Sequence, residues 1–117
     1  MNAADLLRSL QHETRRRAYF TRVEVLDQSV SLVKARLHIA PALFVQAYRN
    51  DSFDTTNLAL IHNGERLYAR DQLDGQWHRR TAIAPLQHDT TPDGWRPATL
   101  TELLDEVEAV LAALGLP

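Results

Sequence analysis

The sequence predicts an α+β fold: an N-terminal helix, a five- or six-stranded, mainly antiparallel meander sheet, and a C-terminal helix, with the helices on one face. Three observations lead to it. Apolar residues recur at helical spacing only near the two ends of the chain, between those ends they recur at every second residue, and the breaks between alternating runs are of hairpin length. Such short breaks join antiparallel neighbours, because a parallel crossover needs about a dozen residues or more. A sheet with one apolar face has to bury it, and helices segregated to that face do so economically. The opposite face then stays open to a ligand or partner. With 117 residues there is enough chain for one packed core and not for two, so residues 1–117 form a single domain in this reading.

Asn2 supplies an N-cap, and Ala3, Leu6, Leu7 and Leu10 share one helical stripe. The stripe fades into Arg15-Arg16-Arg17, which together with Arg8 and Arg22 face only Glu13 between residues 8 and 22. We read this run as a solvated helix end whose charge favours the helix dipole, in preference to a phosphate-contacting patch. Phe20 to Leu26 fits a strand with Val23 and Val25 on one side, and Asp27-Gln28-Ser29 a turn. Val33, Ala35, Leu37 and Ile39 alternate with Lys34, Arg36 and His38 in the clearest half-buried strand of the chain, which leaves His38 on the solvent side. Pro41 ends that strand. Leu43 to Arg49 puts Leu43, Val45 and Ala47 on one face and Phe44, Gln46 and Tyr48 on the other. Asn50-Asp51-Ser52 turns into a strand from Thr55 to Ile61. Residues 81 to 98, rich in proline, form an irregular loop anchored by Ile83, Leu86 and Trp95, of a length that is often functional. Thr99-Leu100-Thr101-Glu102 has capping-box spacing for the last helix. Its buried stripe is Leu103, Val107, Val110, Leu111 and Leu114, with Glu102, Asp105, Glu106 and Glu108 mostly outside it and Gly115 closing it.

Asn63-Gly64 between two apolar runs is a strong hairpin signal, since both central residues of that turn take positive φ. As a two-residue loop it pairs His62 with Glu65, Ile61 with Arg66, Leu60 with Leu67, Ala59 with Tyr68 and Leu58 with Ala69. Leu58, Leu60, Leu67 and Ala69 then form the core side, and Asn57, Ala59, Ile61, Arg66, Tyr68 and Arg70 the open side. Asp74-Gly75 makes the next turn, and pairing Asp71 with Gln76 sets Arg70 beside Trp77 and Tyr68 beside Arg79. The expected open face is therefore cationic and aromatic, carrying Arg66, Tyr68, Arg70, Trp77 and Arg79, with His78 on the apolar side. A slip of one residue would exchange the two sets.

Composition narrows the chemistry. A net charge of −2 argues against a protein that coats nucleic acid, so any such contact rests on a local patch. The lack of cysteine excludes a disulfide scaffold, a thiol nucleophile and thiolate metal sites. Asp5, Arg8 and Arg15 speak against a signal peptide, and no apolar run reaches the roughly 18 residues of a membrane span, so a cytoplasmic protein without membrane contact is expected. Ser29, Ser31 and Ser52 lack a nucleophile-elbow context, and no glycine-rich phosphate loop occurs. His78, His88, Asp71 and Asp89 do not match the spacing of a standard metal site, so neither metal nor cofactor is expected.

The stretch from Ile61 to His88 holds three of the five histidines, one of the two tryptophans and a set of closely spaced arginines. The planar guanidinium groups of Arg66, Arg70 and Arg79 match phosphate oxygens, Tyr68 and Trp77 offer surfaces for a base, and Asp71 supports them. The competing reading pairs these arginines with Asp54, Asp71 and Asp74 and packs Trp77 under the long loop. His78 and His88 are the candidate proton carriers, provided that the loop from Thr81 folds back. The site is then expected at the sheet's edge, where that loop closes over Arg70, Asp71 and His78.

From Ser31 onward a set of strand motifs, Phe44-Val45-Gln46-Ala47-Tyr48, Leu58-Ala59-Leu60-Ile61, Arg66-Leu67-Tyr68-Ala69-Arg70-Asp71, Gly75-Gln76-Trp77-His78-Arg79, and Pro85 with His88, resembles the TumE-like family of bacterial toxin–antitoxin proteins and its relatives. Many members read Trp-His-Arg-His-Pro where this chain has Trp77-His78-Arg79-Arg80-Thr81, which leaves His78 and His88 as the histidine pair. The resemblance implies a small toxin, directed at RNA or the translation machinery, that an antitoxin neutralises by direct binding. The acidic last helix and the basic N-terminal segment are then the candidate antitoxin contacts. The leading reading is a toxin-like, metal-independent RNA-cleaving protein with His78 and His88 catalytic. The alternative is a non-catalytic module whose arginine and aromatic face docks a protein partner or anionic ligand. Candidate partners are a cognate antitoxin protein, RNA and a second copy of the chain as a homodimer.

Overall fold

Helix α1 (Ala3–Arg16) leads into six strands among the described residues: β1 (Arg22–Gln28), β2 (Leu32–Ala40), β3 (Leu43–Asn50), β4 (Thr55–His62), β5 (Glu65–Leu73) and β6 (Gln76–Arg80). They form one antiparallel sheet in chain order, and helix α2 (Leu100–Leu114) follows. The computed structural model describes residues 2–73, 76–80 and 99–116, with 78–80 described by their backbone. The segment 81–98, with Ile83, Leu86, His88, Asp89 and Trp95, lies outside the described residues, as do the Asp74-Gly75 turn and the side chains of His78 and Arg79.

The alternating pattern translates directly into two sheet faces. Val33, Ala35, Leu37 and Ile39 of β2, Leu43, Val45 and Ala47 of β3, and Leu58 and Leu60 of β4 are buried together with Leu6 and Leu10 of α1 and Leu100, Leu103, Leu104 and Val107 of α2. Both helices therefore cover the same face, as the two-layer argument requires. Each such leucine or valine contributes about 1.5–3 kcal/mol through the area it removes from water. The stripe of α2 runs from Leu100 to Leu111, and Leu114 is half exposed.

Each helix end is fixed by chemistry visible in the chain. Asn2 caps α1, its side-chain oxygen accepting from the Asp5 N–H at 2.8 Å, and Thr99 Oγ1 accepts from the Glu102 N–H at 3.2 Å at the start of α2. Asp51, in a single 3₁₀ turn between β3 and β4, accepts the Ala3 N–H at 3.0 and 3.2 Å and so ties the first helix to the sheet. Buried Arg49 holds Asp51 at 2.9 Å and also donates to Asp54, Thr56 and Gln72. Burial would raise the Asp51 carboxyl, but the Arg49 and Ala3 hydrogen bonds hold it below its ordinary value.

The basic run after α1 is not uniformly solvated. Arg17 is 6% exposed and Glu13 1% exposed. Arg17 donates to Glu13 at 2.6 Å, to Asp105 at 2.9 Å and to Glu108 at 2.7 Å, and Thr101 donates to Glu13 at 2.6 Å. Two acidic residues of α2 expected to face away from its partners thus turn toward α1. Burial would raise the Glu13 carboxyl; the hydrogen bonds from Arg17 and Thr101 prevail and keep it low. Removing one partner of a buried ion pair leaves an uncompensated charge, so Arg17→Ala is expected to cost about 3–5 kcal/mol in urea denaturation. The double variant Glu13→Leu, Arg17→Met should recover most of that loss. An Arg17→Ala midpoint equal to that of the unaltered protein would mean that the clamp contributes nothing.

Candidate functional site

Whether Tyr68 and Arg70 meet solvent or core is decided by a single residue. The Asn63-Gly64 turn forms with φ of 52° and 80°, and His62 pairs with Glu65 and Ile61 with Arg66, as expected. The register then shifts between Ile61 and Leu60: Leu67 is accommodated as a β-bulge, so Leu60 pairs with Tyr68, Ala59 with Ala69 and Leu58 with Arg70. An extra residue in one strand sends every later side chain to the opposite face. Tyr68 and Arg70 consequently lie on the helix-covered side beside Leu58 and Leu60, and the expected placement on the open face is corrected. The tyrosine ring brings more apolar area under the helices than Ala69 would in its place.

β6 pairs with β5 so that Leu73 meets Gln76, Gln72 meets Trp77, Asp71 meets His78 and Arg70 meets Arg79. This is two residues from the expected pairing, so the sorting by face survives. Trp77 is buried on the same side as Arg70 and Tyr68, the backbone position of Arg79 lies opposite Arg70, and that of His78 opposite Asp71. Tyr68, Arg70 and Trp77 therefore stay together, on the face opposite to the expected one. Of the five arginine and aromatic residues assigned to the open face, Arg66 precedes the bulge and stays there, with Nη1 3.5 Å from Asp71. Asn57 also donates to Asp71. His88 lies outside the described residues, so its approach to His78 is not among the contacts seen.

Arg70, 0% exposed, donates to Glu106 of α2 at 3.3 Å. Burial pushes the Glu106 carboxyl up to about 7 despite that neighbour. The buried Tyr68 and Arg70 thus belong to the layer that receives α2, and Trp77 is buried on the same side of the sheet.

The uncovered face carries a different cation and aromatic set. Its centre is Lys34, Arg36 and His38 of β2 against Phe44, Gln46 and Tyr48 of β3, with Lys34 opposite Tyr48, Arg36 opposite Gln46 and His38 opposite Phe44. All six are partly exposed, and no described helix packs on them. The Arg36 guanidinium lies 4.7 Å from the centre of the Phe44 ring, within cation–π range. Its Nε has no hydrogen-bond partner, and among the described residues neither Lys34 nor Arg36 forms a salt bridge, although Asp27 and Glu24 stand opposite them on β1 and the Arg36 charge helps to hold the Glu24 carboxyl low. The His38 ring stands 5.7 Å from Phe44, and its Nε2 is 3.0 Å from Glu24 and 3.3 Å from Arg22. The His38 hydrogen bond holds the Glu24 carboxyl below its ordinary value. Both alternations were readable in the sequence; aligning β2 with β3 across Pro41-Ala42 was the step that would have joined them. Ala42, at φ 60°, makes that turn tight.

Comparison with protein-family models, with curated proteins and with solved structures gives no match. Among the described residues no group of three or more His, Asp or Glu side chains is arranged to hold a metal ion, and no helix is long and apolar enough to cross a membrane.

The burial of Glu106 has a defined pH signature. A carboxyl whose folded value is raised favours the folded state while protonated, so its contribution is present below 4.5 and is lost as pH rises through about 7. Glu106→Gln should match the unaltered protein near pH 4 and, after allowance for partial exposure, be more stable at pH 8 by on the order of 2 kcal/mol. Urea titrations at the two pH values decide the sign. A less stable variant at pH 8 would show that the ion pair with Arg70 outweighs desolvation.

Proposed function

We propose that this chain binds single-stranded RNA on the sheet face that the helices leave uncovered. The observation that carries the reading is the Arg36 guanidinium stacked on Phe44, in no salt bridge among the described residues and with Lys34 and Tyr48 one strand pair away. A stacked guanidinium offers its second plane to a base and its N–H edge to phosphate. Phe44 and Tyr48 lie four positions apart on one strand, so two aromatic surfaces repeat along a flat face. Single-stranded nucleic acid suits such a face, because its bases are free to splay out and stack on side chains. Tyr68 and Arg70 are committed to the helix-covered side, and Lys34, Arg36, Phe44 and Tyr48 carry the role on the open face.

The TumE-like resemblance supports a more specific second reading, a toxin that cleaves the RNA it binds and is held by an antitoxin. The observation in its favour is the register of β6, which sets the backbone position of His78 opposite Asp71, on the strand where Asp71 contacts Arg66. In that reading His78 and His88 move protons and the open face holds the strand.

Fluorescence anisotropy with a short labelled oligouridine tests both. With Lys34 and Arg36 as the phosphate contacts, the slope of log K against log salt is expected to be about −1.4, and Arg36→Ala should reduce its magnitude by about 0.7. Tyr48→Ala should cost about 1–3 kcal/mol of binding through lost stacking. The RNA reading fails if the oligonucleotide does not bind at low salt, and binding of an acidic peptide in its place would make the face a protein-docking surface. Cleavage that disappears in His78→Ala supports the toxin reading, whereas a bound oligonucleotide that stays intact ends it.

A further inference from the structure

At one end of the uncovered face lies a cleft of about 370 Å³ lined by Thr21, Arg22, His38, Ile39, Ala40 and Pro41. Arg22 and His38 are direct partners across β1 and β2, so their side chains emerge side by side. Thr21 is already engaged: its N–H and Oγ1 both donate to the His38 carbonyl, at 2.8 and 3.2 Å, and fix the rim of the cleft. Ile39, Ala40 and Pro41 form an apolar wall. Outside the lining, the Glu24 carboxylate stands 3.0 Å from His38 Nε2, and Arg22 Nη2 reaches the same nitrogen at 3.3 Å.

We infer that this cleft is a subsite for a phosphate group, with Arg22 and His38 as its donors and Glu24 as the carboxylate that an incoming phosphate displaces from His38. The inference rests on the RNA-binding reading for its ligand and on the cleft itself for its chemistry. The β1–β2 register sets an arginine and a histidine side by side at a cavity, which is the arrangement that an incoming phosphate needs. A phosphate monoester carries more charge and more acceptor oxygens than the carboxylate and bonds an arginine bidentately. Glu24 is free to move aside, since its side chain is 38% exposed on an edge strand. The contact between the His38 ring and Phe44 joins the cleft to the stacking surface. A strand lying along Tyr48 and Phe44 therefore ends with its terminal phosphate at Arg22 and His38, and its last sugar against Ile39, Ala40 and Pro41.

The test compares four probes at pH 7: oligouridines with a 5′-phosphate, with a 3′-phosphate and with hydroxyl ends, and inorganic phosphate alone. Anisotropy or calorimetry reads affinity, and the His38 ring signals in the NMR spectrum report occupation of the cleft. One of the phosphorylated oligonucleotides is expected to bind on the order of tenfold more tightly than the hydroxyl-ended one. Arg22→Ala should bring it down to the hydroxyl-ended affinity, and Glu24→Gln should tighten it several-fold while keeping the circular dichroism spectrum of the unaltered protein. Equal affinities for phosphorylated and hydroxyl-ended oligonucleotides overturn the subsite and leave the stacking face standing. Conversely, shifts of the His38 signals by inorganic phosphate without binding of any oligonucleotide support the subsite and remove the RNA reading.

Discussion

The buried contact between Arg17 and Glu13, extended by Asp105, Glu108 and Thr101, is the constraint from which the arrangement follows. Two amphipathic helices at opposite ends of a chain have no local reason to meet. A nearly inaccessible carboxylate in α1 needs a cation, and the arginine that answers it carries enough donors to reach α2 as well. Once the helices are joined over β2 to β5, the apolar face of the sheet is sealed, and neither of the described helices lies on the other face. The location of the candidate site is in that sense decided by a contact on the far side of the sheet.

The order of elements was legible in the sequence because each rests on local chemistry. Alternation marked β2 and β3, Asn63-Gly64 marked the hairpin, and Asn2 and Thr99 marked the helix starts. The orientation of the site was less legible. Leu67 is an ordinary strand residue by composition, and no turn signal announces the bulge there. The preference appears only when Tyr68 and Ala69 are weighed as occupants of the space under the helices, a question about packing volume that a linear pattern does not contain. Trp77 went with Arg70 in both readings because the β5–β6 pairing moved by an even number of residues.

Arg17 and Glu106 show the complementary difficulty. Both looked like surface charges, one in a basic run and the other on the polar side of a helix, yet Arg17 is held above its ordinary value by its carboxylate partners against the effect of burial, and Glu106 is pushed up by burial. Helical periodicity assigns a side chain to a sector around the axis and says nothing about which neighbouring element borders that sector. Asp105 and Glu108 fall outside the apolar stripe and still sit against α1. The face made by Lys34, Arg36, Phe44 and Tyr48 escaped for a similar reason: two strands had each been read correctly, and their relation had not.

The first strand of the sheet is held differently from the rest. β1 pairs on one side only, is interrupted by a bulge between Val25 and Asp27, and leaves Val23, Val25 and Leu26 substantially exposed. A segment with so few buried contacts lies at the low end of the local stability range, so it opens without the core having to unfold. Arg22 and Glu24 ride on that segment while His38 belongs to the well-packed β2. Closing and opening of the edge is thus also making and unmaking of the cleft, and any molecule gripping both strands would be recorded as slower amide exchange along β1.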